Sequence, residues 1–428
     1  MTTRKVIASL YSVQLLNYAV PVVVLPYLSR VLGPAGFGVV GYAQTVAQIL
    51  LIFVDFGFDL TSARKVALHS DQPEVLNKIY WTTMSAKSLL AMICCMGLAA
   101  LAFLGPDSGT NRVAMLLGML IIWGSVLTPT WFYQGIQRMP MLALSMLLVR
   151  GVLLIPLFIF VRTAADVAVA AALQFSPAVV AGLVLTAWLF RTRRVSFGCT
   201  VKLRDVLRDM KDAYHIFVSS ALTSVYMYAN VVFLRAIAGN ADVGYYVAAE
   251  KLTTPLRQLS VPLIQSFFPK MCQLYANGDV HAVGRVLRRI VAVFTIAGAL
   301  LFVGFQVLGK WFVTRFFGDG FTKTYHILQV MILVPAIICV AAAVVQLCIV
   351  ASGNQNVLKR IYVVGALFHL CQMPLAIYFW GSVGAAYSVA ATELFMSVIA
   401  CFKAAKINAQ LLASGQSKDL AETLRRAQ

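Results

Sequence analysis

Several ionisable side chains lie inside or at the ends of long apolar segments, where an ionised group is costly to insert into a membrane. The bases among them are Arg30, Lys87, Arg150, Arg235, Lys251 and Arg257. An arginine presents a fork of N–H donors that matches phosphate oxygens, and a lysine adds a compact positive charge. This set of bases predicts a cationic cavity for an anionic substrate group such as a diphosphate. For any single base, an internal salt bridge is the alternative.

Polar side chains also recur along one face of two predicted helices. They are Gln44, Gln48, Asp55 and Asp59 in the segment 36–60, and Glu250, Thr254 and Arg257 in the segment 243–268. Because successive residues of a helix are about 100° apart, each set falls on one narrow stripe. We expect both stripes, together with Gln14 and Asn17, to line the cavity. The alternative is that these side chains hydrogen-bond neighbouring helices.

A carboxylate inside a membrane can carry a coupling proton or cation. Glu393, near the middle of the last apolar segment, is a candidate for ion coupling, and so are Asp55 and Glu250. His369 is interpreted as a packed core residue rather than a proton relay.

Motifs for catalysis are missing from the sequence. It contains no GxxxxGK[ST] nucleotide loop, no HExxH pair and no nucleophile elbow, and its eight cysteines lack the spacing of a metal site. We therefore expect no catalytic residue, no metal and no cofactor, and a protein that is not an enzyme. Without a nucleotide site, an ion gradient is the expected source of energy.

The elements that position these residues are predicted to be membrane-spanning helices. Of the 428 residues, 60% are hydrophobic and only 12% are charged, against about 25% charged in an average soluble protein. One span needs about 20 apolar residues. Hydropathy places twelve spans near 7–31, 36–60, 76–104, 112–134, 140–162, 167–190, 213–237, 243–268, 286–308, 324–351, 358–380 and 382–403. The predicted fold class is an all-α integral membrane protein.

The basic residues fix the expected orientation. With the N-terminus in the cytoplasm, the inner loops and tails hold 24 of the 35 Lys and Arg residues and the outer ends hold seven. Positive charge concentrates on the cytoplasmic side of membrane proteins. The net charge of +19 thus has a topological cause and does not indicate nucleic acid. We expect a multi-pass protein of the bacterial inner membrane with both termini in the cytoplasm.

The two halves of the sequence resemble each other. Segment 37–48 aligns with 243–254 at an offset of 206 positions, and segment 134–139 aligns with 352–357 at an offset of 218. Because each half holds six spans, both halves begin on the same side, and the repeat is parallel. The expected domains are a six-helix lobe at 1–190, a cytoplasmic linker at 191–212, a second six-helix lobe at 213–405 and a cytoplasmic tail at 406–428. We expect the cavity between the lobes.

The linker itself is basic and amphipathic. Leu203, Val206, Leu207 and Met210 recur at helical spacing, and the positions between them are charged. This pattern predicts a short helix on the inner surface of the membrane.

Three segments carry a resemblance to a known family: LPYLSRVLGPAGFGVVGYAQ (25–44), FVDFGFDLTSARKVA (53–67) and TPTWFYQGIQRM (128–139). They resemble the polysaccharide transporters, the O-antigen flippases of the Wzx or RfbX type, in the multidrug/oligosaccharidyl-lipid/polysaccharide (MOP) exporter superfamily. The resemblance implies two lobes of the MATE kind around a cationic central cavity. It implies transfer of undecaprenyl-diphosphate-linked oligosaccharide repeat units, for O-antigen or exopolysaccharide, from the cytoplasmic to the periplasmic leaflet by alternating access.

The same resemblance implies partners and binding residues. A polysaccharide polymerase and a chain-length regulator are the implied protein partners. Related lipid flippases use arginines of the first, second and eighth spans for the diphosphate. Arg30 and Arg257 lie on two of those spans, whereas the second span has no arginine near its middle.

Two other functions remain open from the sequence. A cation-coupled multidrug antiporter of the MATE type shares the superfamily, but its cavity is expected to be dominated by carboxylates. A membrane glycosyltransferase or polymerase usually needs a sizeable outer loop for its chemistry, and the longest outer loop predicted here, 309–323, is short.

Overall fold

Long apolar segments fold as helices in this protein because lipid offers no hydrogen bonds, so each backbone N–H and C=O must be satisfied within its own segment. The computed structural model describes the backbone of residues 3–105, 109–198, 200–354 and 356–427. Side chains are described over 23–413, apart from 106–108, 199, 219, 222–226 and 355. The predicted cavity residues Gln14 and Asn17 lie outside the described side chains.

Helices follow one another along the described chain, and we number them in order. The first nine are α1 (Thr3–Asp55), α2 (Phe58–Leu68), α3 (Pro73–Leu104), α4 (Gly109–Leu117), α5 (Met119–Leu127), α6 (Thr130–Gly135), α7 (Met139–Phe160), α8 (Val167–Phe175) and α9 (Pro177–Arg191). The others are α10 (Leu203–Ala238), α11 (Asn240–Gln258), α12 (Ser260–Ala276), α13 (Val280–Phe317), α14 (Thr322–Met331), α15 (Val334–Val344) and α16 (Asn356–Ala427). A 3₁₀ turn at Asp319–Phe321 precedes α14, and a π-helical segment at Val345–Val350 follows α15.

Two glycines divide the two longest helices. Gly33 (φ 66°, ψ 177°) interrupts α1, and Gly381 (φ 56°, ψ −133°) interrupts α16. A positive φ is strained for a side chain but not for glycine, so the chain turns at these points. The first two predicted spans are therefore the two arms of α1, and the last two are arms of α16.

Eight helical segments of the described residues are long and apolar enough to cross a membrane. They are Val23–Asp55, Pro73–Leu104, Gly109–Gly135, Met139–Phe160, Val167–Arg191, Val280–Phe317, Asp319–Val350 and Asn356–Ala413. The seventh and eighth predicted spans, in α10 and in α11–α12, are not among these eight, although Met227–Ala238 forms a shorter apolar helix. The all-helical class is confirmed, and the count of twelve spans stays a prediction.

The chain forms two compact units. One is Ala19–Val247, and the other contains Ala248–Gln428 together with the first 18 residues. The predicted lobe and linker boundaries at 190 and 212 stay predictions.

An aromatic cluster fills the core of the unit Ala19–Val247. Tyr80, Trp131, Phe132 and Tyr133 are all at most 1% exposed. The hydroxyl of Tyr133 donates to the carbonyl oxygen of Leu185 at 2.7 Å, because a buried phenol needs a partner. This cluster ties α3 and α6 to α9.

Candidate functional site

Asp55 and Lys87 form an ion pair inside the unit Ala19–Val247. Asp55 ends α1 and Lys87 lies in α3, with Oδ1 and Nζ 2.9 Å apart. Ser125 of α5 completes the network, since its Oγ donates to Asp55 Oδ1 at 2.6 Å and accepts from Lys87 Nζ at 3.1 Å. The side chain of Lys87 is 1% exposed and that of Asp55 is 29% exposed. The lysine charge is thus compensated inside the unit, while the carboxylate keeps partial access.

Further polar contacts extend this network along α2. Asp59 Oδ1 accepts a hydrogen bond from Thr130 Oγ1 at 2.9 Å, and the hydroxyls of Ser62 and Thr83 are 3.0 Å apart. Asp59 and Ser62 are three positions apart in α2, the spacing of one helix face. Asp55 is joined to α3 and α5, Asp59 to α6, and Ser62 to α3. Asp55 and Asp59 thus hydrogen-bond neighbouring helices, and the lining of a cavity by the whole polar stripe of the second span stays a prediction.

The chain is not a continuous helix between the two aspartates. Phe56 (φ 43°) and Gly57 (φ 82°) end α1 and start α2 in a left-handed turn. A Cβ added to Gly57 would lie 2.9 Å from Cβ of Ile216 in α10, so glycine also permits a close approach there. The straight stripe predicted through Asp55 and Asp59 is wrong at this turn, because the prediction assumed unbroken helical geometry.

Burial changes the role of Lys87. A base that contacts a substrate needs an accessible charge. The ammonium of Lys87 is buried and donates its hydrogen bonds to Asp55 and Ser125. Removing one partner of a buried ion pair typically costs about 3–5 kcal/mol. Lys87 is therefore best explained as the internal counter-charge of Asp55.

The second predicted stripe lies on α11. Glu250, Lys251 and Arg257 are half-buried there, and Thr254 is exposed. Oγ1 of Thr254 donates to the carbonyl oxygen of Glu250 at 2.8 Å. The hydroxyl of Thr254 therefore has its partner within its own helix. The charged side chains of this stripe, Glu250 and Arg257, are the ones suited to contacts outside it.

Arg257 lies in the last turn of α11, next to a break in the helix. α11 ends at Gln258 and α12 begins at Ser260, because Pro262 cannot donate to the carbonyl of Gln258 and its ring crowds that carbonyl. The carbonyl oxygen of Arg257 accepts from Ser260 Oγ at 3.0 Å and from Cys339 Sγ at 3.8 Å. Its side-chain Nε is buried and has no hydrogen-bond partner in the part of the chain that the structure describes. An unpaired buried donor is costly, so this guanidinium is suited to an anion.

Arg150 is an exposed base near the middle of α7. The exposed apolar side of this helix is formed by Leu144, Leu148, Val152 and Ile155. At about 100° per residue these four cover an arc of about 80°, and Arg150 lies about 160° from the middle of that arc. A base on the lipid-facing side would be costly. The side of α7 that carries Arg150 is therefore suited to a polar cavity, and Arg150 makes no ion pair with any described carboxylate.

The other predicted binding residues are distributed more widely. Arg30 is exposed in α1, and the guanidinium carbon of Arg235 lies 5.8 Å from the ring centre of Tyr42, a cation–π distance. Gln44 and Gln48 are half-buried in α1.

A buried polar cluster joins the two arms of α16. Nδ1 of His369 lies 2.9 Å from Oγ1 of Thr392, and Nε2 of Gln372 donates to the same oxygen at 2.9 Å. His369 is fully buried, and the neighbouring Glu393 is 9% exposed. His369 is thus the packed, hydrogen-bonded residue that the sequence predicted, and Glu393 lies beside a cluster of polar groups.

Small residues bring α1 and α11 into direct backbone contact. A Cβ on Gly38 would overlap the carbonyl oxygen of Asn240, and a Cβ on Gly244 would overlap that of Pro34. Pro34 and Asn240, like Gly38 and Gly244, are 206 positions apart. The contact is therefore reciprocal, as it is across a two-fold axis between equivalent surfaces. Its register is the one that the sequence repeat predicted.

The glycines that precede these contacts also match. Gly33 (φ 66°, ψ 177°) and Gly239 (φ 85°, ψ −176°) share a backbone conformation that is essentially confined to glycine. They too are 206 positions apart. Segments 33–41 and 239–247 thus repeat in conformation as well as in sequence.

Residues 3–275 match the model of a family described as polysaccharide biosynthesis protein. The chain belongs to this family. It is the Wzx-type family that the resemblance of the sequence motifs predicted.

Two curated relatives extend the match over nearly the whole chain. A putative O-antigen transporter of Shigella dysenteriae is 29% identical over 403 residues, which cover 94% of this chain and 100% of the relative. A putative O-antigen transporter of Escherichia coli (strain K12) is 28% identical over 401 residues, which cover 93% of this chain and 95% of the relative. The relatives are named as transporters, which are not enzymes, and the chain is a multi-pass membrane protein.

Solved structures share the fold of this family member. A MATE multidrug transporter of the MOP superfamily, described as inward-facing, superposes with a TM-score of 0.67 at 15% identity, covering 94% of this chain and 96% of the other. The lipid II flippase MurJ, described as inward closed, superposes with a TM-score of 0.67 at 13% identity, covering 92% and 91%. At these identities the likeness concerns the fold, and it includes both a drug transporter and a lipid flippase.

Proposed function

We propose that this chain is a flippase that moves undecaprenyl-diphosphate-linked oligosaccharide repeat units from the cytoplasmic to the periplasmic leaflet of the bacterial inner membrane. The repeat units are those of O-antigen or exopolysaccharide. Membership of the polysaccharide biosynthesis family and two relatives named putative O-antigen transporters support this substrate class. The shared fold with a lipid II flippase supports the mode of transport.

In this proposal, twelve spans form two parallel six-helix lobes, and both termini are cytoplasmic. The substrate enters a cationic cavity between the lobes with its diphosphate and sugars, while the prenyl tail stays in lipid. Alternating access then carries the polar part across. A polysaccharide polymerase and a chain-length regulator are the proposed partners at the outer surface.

Arg257 carries the proposal for substrate binding. Its buried Nε has no partner among the described residues, and a diphosphate oxygen can accept that hydrogen bond. A guanidinium is also suited to bidentate contact with phosphate oxygens. Arg150, exposed on the side of α7 opposite its apolar stripe, supplies a second accessible base.

The ion pair of Asp55 and Lys87 complements this arrangement. Two carboxylates on the second span would repel an anion, but Asp55 is paired with Lys87 and Asp59 is hydrogen-bonded to Thr130. Because the negative charges of Asp55 and Asp59 are compensated within the unit, Arg150 and Arg257 determine the electrostatic potential of the proposed cavity. Glu393, next to the buried cluster of α16, is the proposed site of ion coupling.

Export of surface polysaccharide tests the substrate-binding role. In a strain that lacks the chromosomal gene, Arg257→Ala should reduce surface polysaccharide at least tenfold, and the double variant Arg257→Ala/Arg150→Ala should abolish it. Arg289→Ala removes an exposed base of α13 and serves as the matched control. Full export by the double variant at normal membrane abundance would contradict the cationic cavity.

A multidrug antiporter is the competing function, because a MATE transporter shares the fold to the same TM-score. Efflux of cationic dyes from cells that express the chain separates the two. We expect no efflux above the empty vector, together with flipping of a fluorescent prenyl-diphosphate oligosaccharide in proteoliposomes.

A further inference from the structure

The first four turns of α10 sort their charges onto two separate faces, centred about 100° apart. Counted from Leu203 at about 100° per residue, the three aspartates of 203–215 fall at about 180–240° and three bases fall at about 80–140°. The aspartates are Asp205, Asp209 and Asp212, and the bases are Arg204, Arg208 and Lys211. One helix segment therefore has an acidic face and a basic face.

The acidic face is occupied by contacts within the unit Ala19–Val247. Nζ of Lys65 lies 2.7 Å from Asp209 Oδ1 and 2.9 Å from Asp212 Oδ2, and Nζ of Lys78 lies 3.2 Å from Asp205 Oδ2. All three carboxylates on this segment are thus used to dock it onto α2 and α3. None remains to balance the bases on the basic face.

Apolar residues divide into two faces in the same way. Val206, Met210 and Ala213 are buried or half-buried against Phe58 and Ala86, at about 280–340°. Leu203, Leu207 and Tyr214 are 66%, 56% and 53% exposed, at about 0–40°. The exposed apolar stripe is therefore adjacent to the basic face, the arrangement of a helix that meets a membrane surface.

The basic face itself is accessible. Arg204, Arg208 and Lys211 are exposed, and none makes an ion pair with a carboxylate in the described ranges. Lys211 also lines a cavity of about 370 Å³, together with Phe56, Met210, Tyr214 and His215. A base, an imidazole and a phenol there adjoin apolar side chains, so the cavity is suited to a group that is anionic at one end and apolar at the other.

The depth of the bases matches a lipid headgroup. The predicted seventh span begins at 213, and a helix rises 1.5 Å per residue, so Lys211 is about 3 Å and Arg208 about 8 Å below that point if the helix is normal to the membrane. The headgroup layer of one leaflet is about 5–8 Å thick. Arg204, about 14 Å below, is roughly one Debye length from that layer.

We infer that the exposed face of residues 203–215 binds the headgroups of anionic phospholipids in the cytoplasmic leaflet. The bases contact the phosphates, while Tyr214, at the start of the predicted span, contacts the adjoining glycerol and acyl region. Cytoplasmic membrane surfaces attract basic segments in this way, by a factor of about five for each base. The occupant is a bulk membrane lipid, and the substrate cavity has no part in the interaction.

Spin-labelled lipids test this inference on the full-length protein. The protein is reconstituted into phosphatidylcholine vesicles that contain a trace of spin-labelled phosphatidylglycerol or spin-labelled phosphatidylcholine, and the motionally restricted fraction gives the selectivity for the anionic lipid. The test variant is Arg204→Gln/Arg208→Gln/Lys211→Gln. The matched control, Arg289→Gln/Lys359→Gln/Arg360→Gln, removes three exposed bases from the other unit.

We expect the wild-type protein and the control to select phosphatidylglycerol, and the test variant to lose that selectivity by about fivefold or more. Arg208→Gln alone should produce a smaller loss in the same direction, which guards against misfolding of the triple variant. Unchanged selectivity in the test variant, or an equal loss in the control, would overturn the inference. Displacement of the labelled phosphatidylglycerol by stoichiometric farnesyl diphosphate would also overturn it, in favour of a substrate diphosphate.

Discussion

Gly38 and Gly244 pack backbone to backbone, and the sequence repeat pairs the same two residues. Each glycine faces a carbonyl oxygen of the opposite helix, Asn240 for Gly38 and Pro34 for Gly244. In the predicted topology these positions lie near the outer ends of the second and eighth spans. Alternating access between two lobes requires the outer ends to separate, so we propose that this contact closes the outer side and opens during transport.

A disulfide across this contact should block transport. A Cβ built on Gly41 lies 3.3 Å from Cβ of Val247, close to the separation of about 3.5–4.5 Å in disulfides. The variant Gly41→Cys/Val247→Cys should cross-link under mild oxidation and reduce flipping in proteoliposomes at least tenfold. A reductant should restore the activity.

The single variants Gly41→Cys and Val247→Cys are the controls for the disulfide, since native cysteines are present in both. They should keep their activity after oxidation. Efficient cross-linking without any loss of flipping would show that the contact stays closed during transport.

A single methyl group should test how tight the contact is. Gly38→Ala places a Cβ onto the carbonyl oxygen of Asn240, and such overpacking typically costs about 1–3 kcal/mol. We expect a lower midpoint of thermal unfolding in detergent. Gly97→Ala in α3 is the control, because nothing lies within 4 Å of its Cβ, and helical alanine is about 0.5–1 kcal/mol better than glycine.

The ion pair of Asp55 and Lys87 should be structural. Lys87→Met leaves a carboxylate without its counter-charge and should destabilise the protein by about 3–5 kcal/mol. The double variant Asp55→Asn/Lys87→Met should regain most of that stability, since Ser125 can still donate to the asparagine oxygen. Thermal unfolding of the wild-type protein, Lys87→Met, Asp55→Asn and the double variant gives the coupling energy of the pair.

Export by the same double variant separates structure from substrate binding. If Lys87 acts only on Asp55, export at matched abundance should be near the wild-type level. A stable double variant that exports nothing would return Lys87 to the substrate-binding bases. Arg162→Met, which removes an exposed base at a predicted outer end, controls for the loss of one positive charge.

The sequence could identify Asp55, Lys87 and Arg257 because a charge inside an apolar segment is rare and costly. It could not identify Ser125 as the partner of Asp55 and Lys87, or Thr130 as the partner of Asp59. Isolated hydroxyls are common in apolar helices, and no spacing distinguishes the ones that face a charge. For the same reason, the sequence could not show that Asp55 hydrogen-bonds neighbouring helices. That observation requires the positions of those helices.

Local backbone geometry limited the prediction in another way. The break at Phe56 and Gly57 lies in a sequence that continues the helical pattern on both sides, so periodicity alone gave no reason to end the helix. The repeat did pair Gly38 with Gly244, yet sequence alignment cannot say which equivalent helices touch. That requires the position of the two-fold axis.

The docking of α10 should weaken at high pH. Burial alone would lower the pKa of Lys65, but hydrogen bonds from its ammonium to Asp209 and Asp212, and their negative charges, outweigh burial and raise the pKa above its ordinary value of 10.5. When folding raises the pKa of a lysine, the resulting gain in stability is complete at pH values below the pKa of the unfolded state. That gain is lost as the pH rises through the pKa of the folded state. The contribution should therefore be constant near neutrality and fall above about pH 10.5.

Thermal unfolding between pH 8 and pH 12 measures this dependence. Asp209→Asn/Asp212→Asn removes both acceptors that raise the pKa of Lys65, so the variant should start with a lower midpoint and lose less of it as pH rises above about 10.5. Asp71→Asn, an exposed carboxylate before α3, should behave like the wild-type protein. If the midpoint of unfolding fell equally steeply with pH in all three proteins, the contacts of Lys65 would add nothing to stability. The orientation of the acidic face of α10 would then need another explanation.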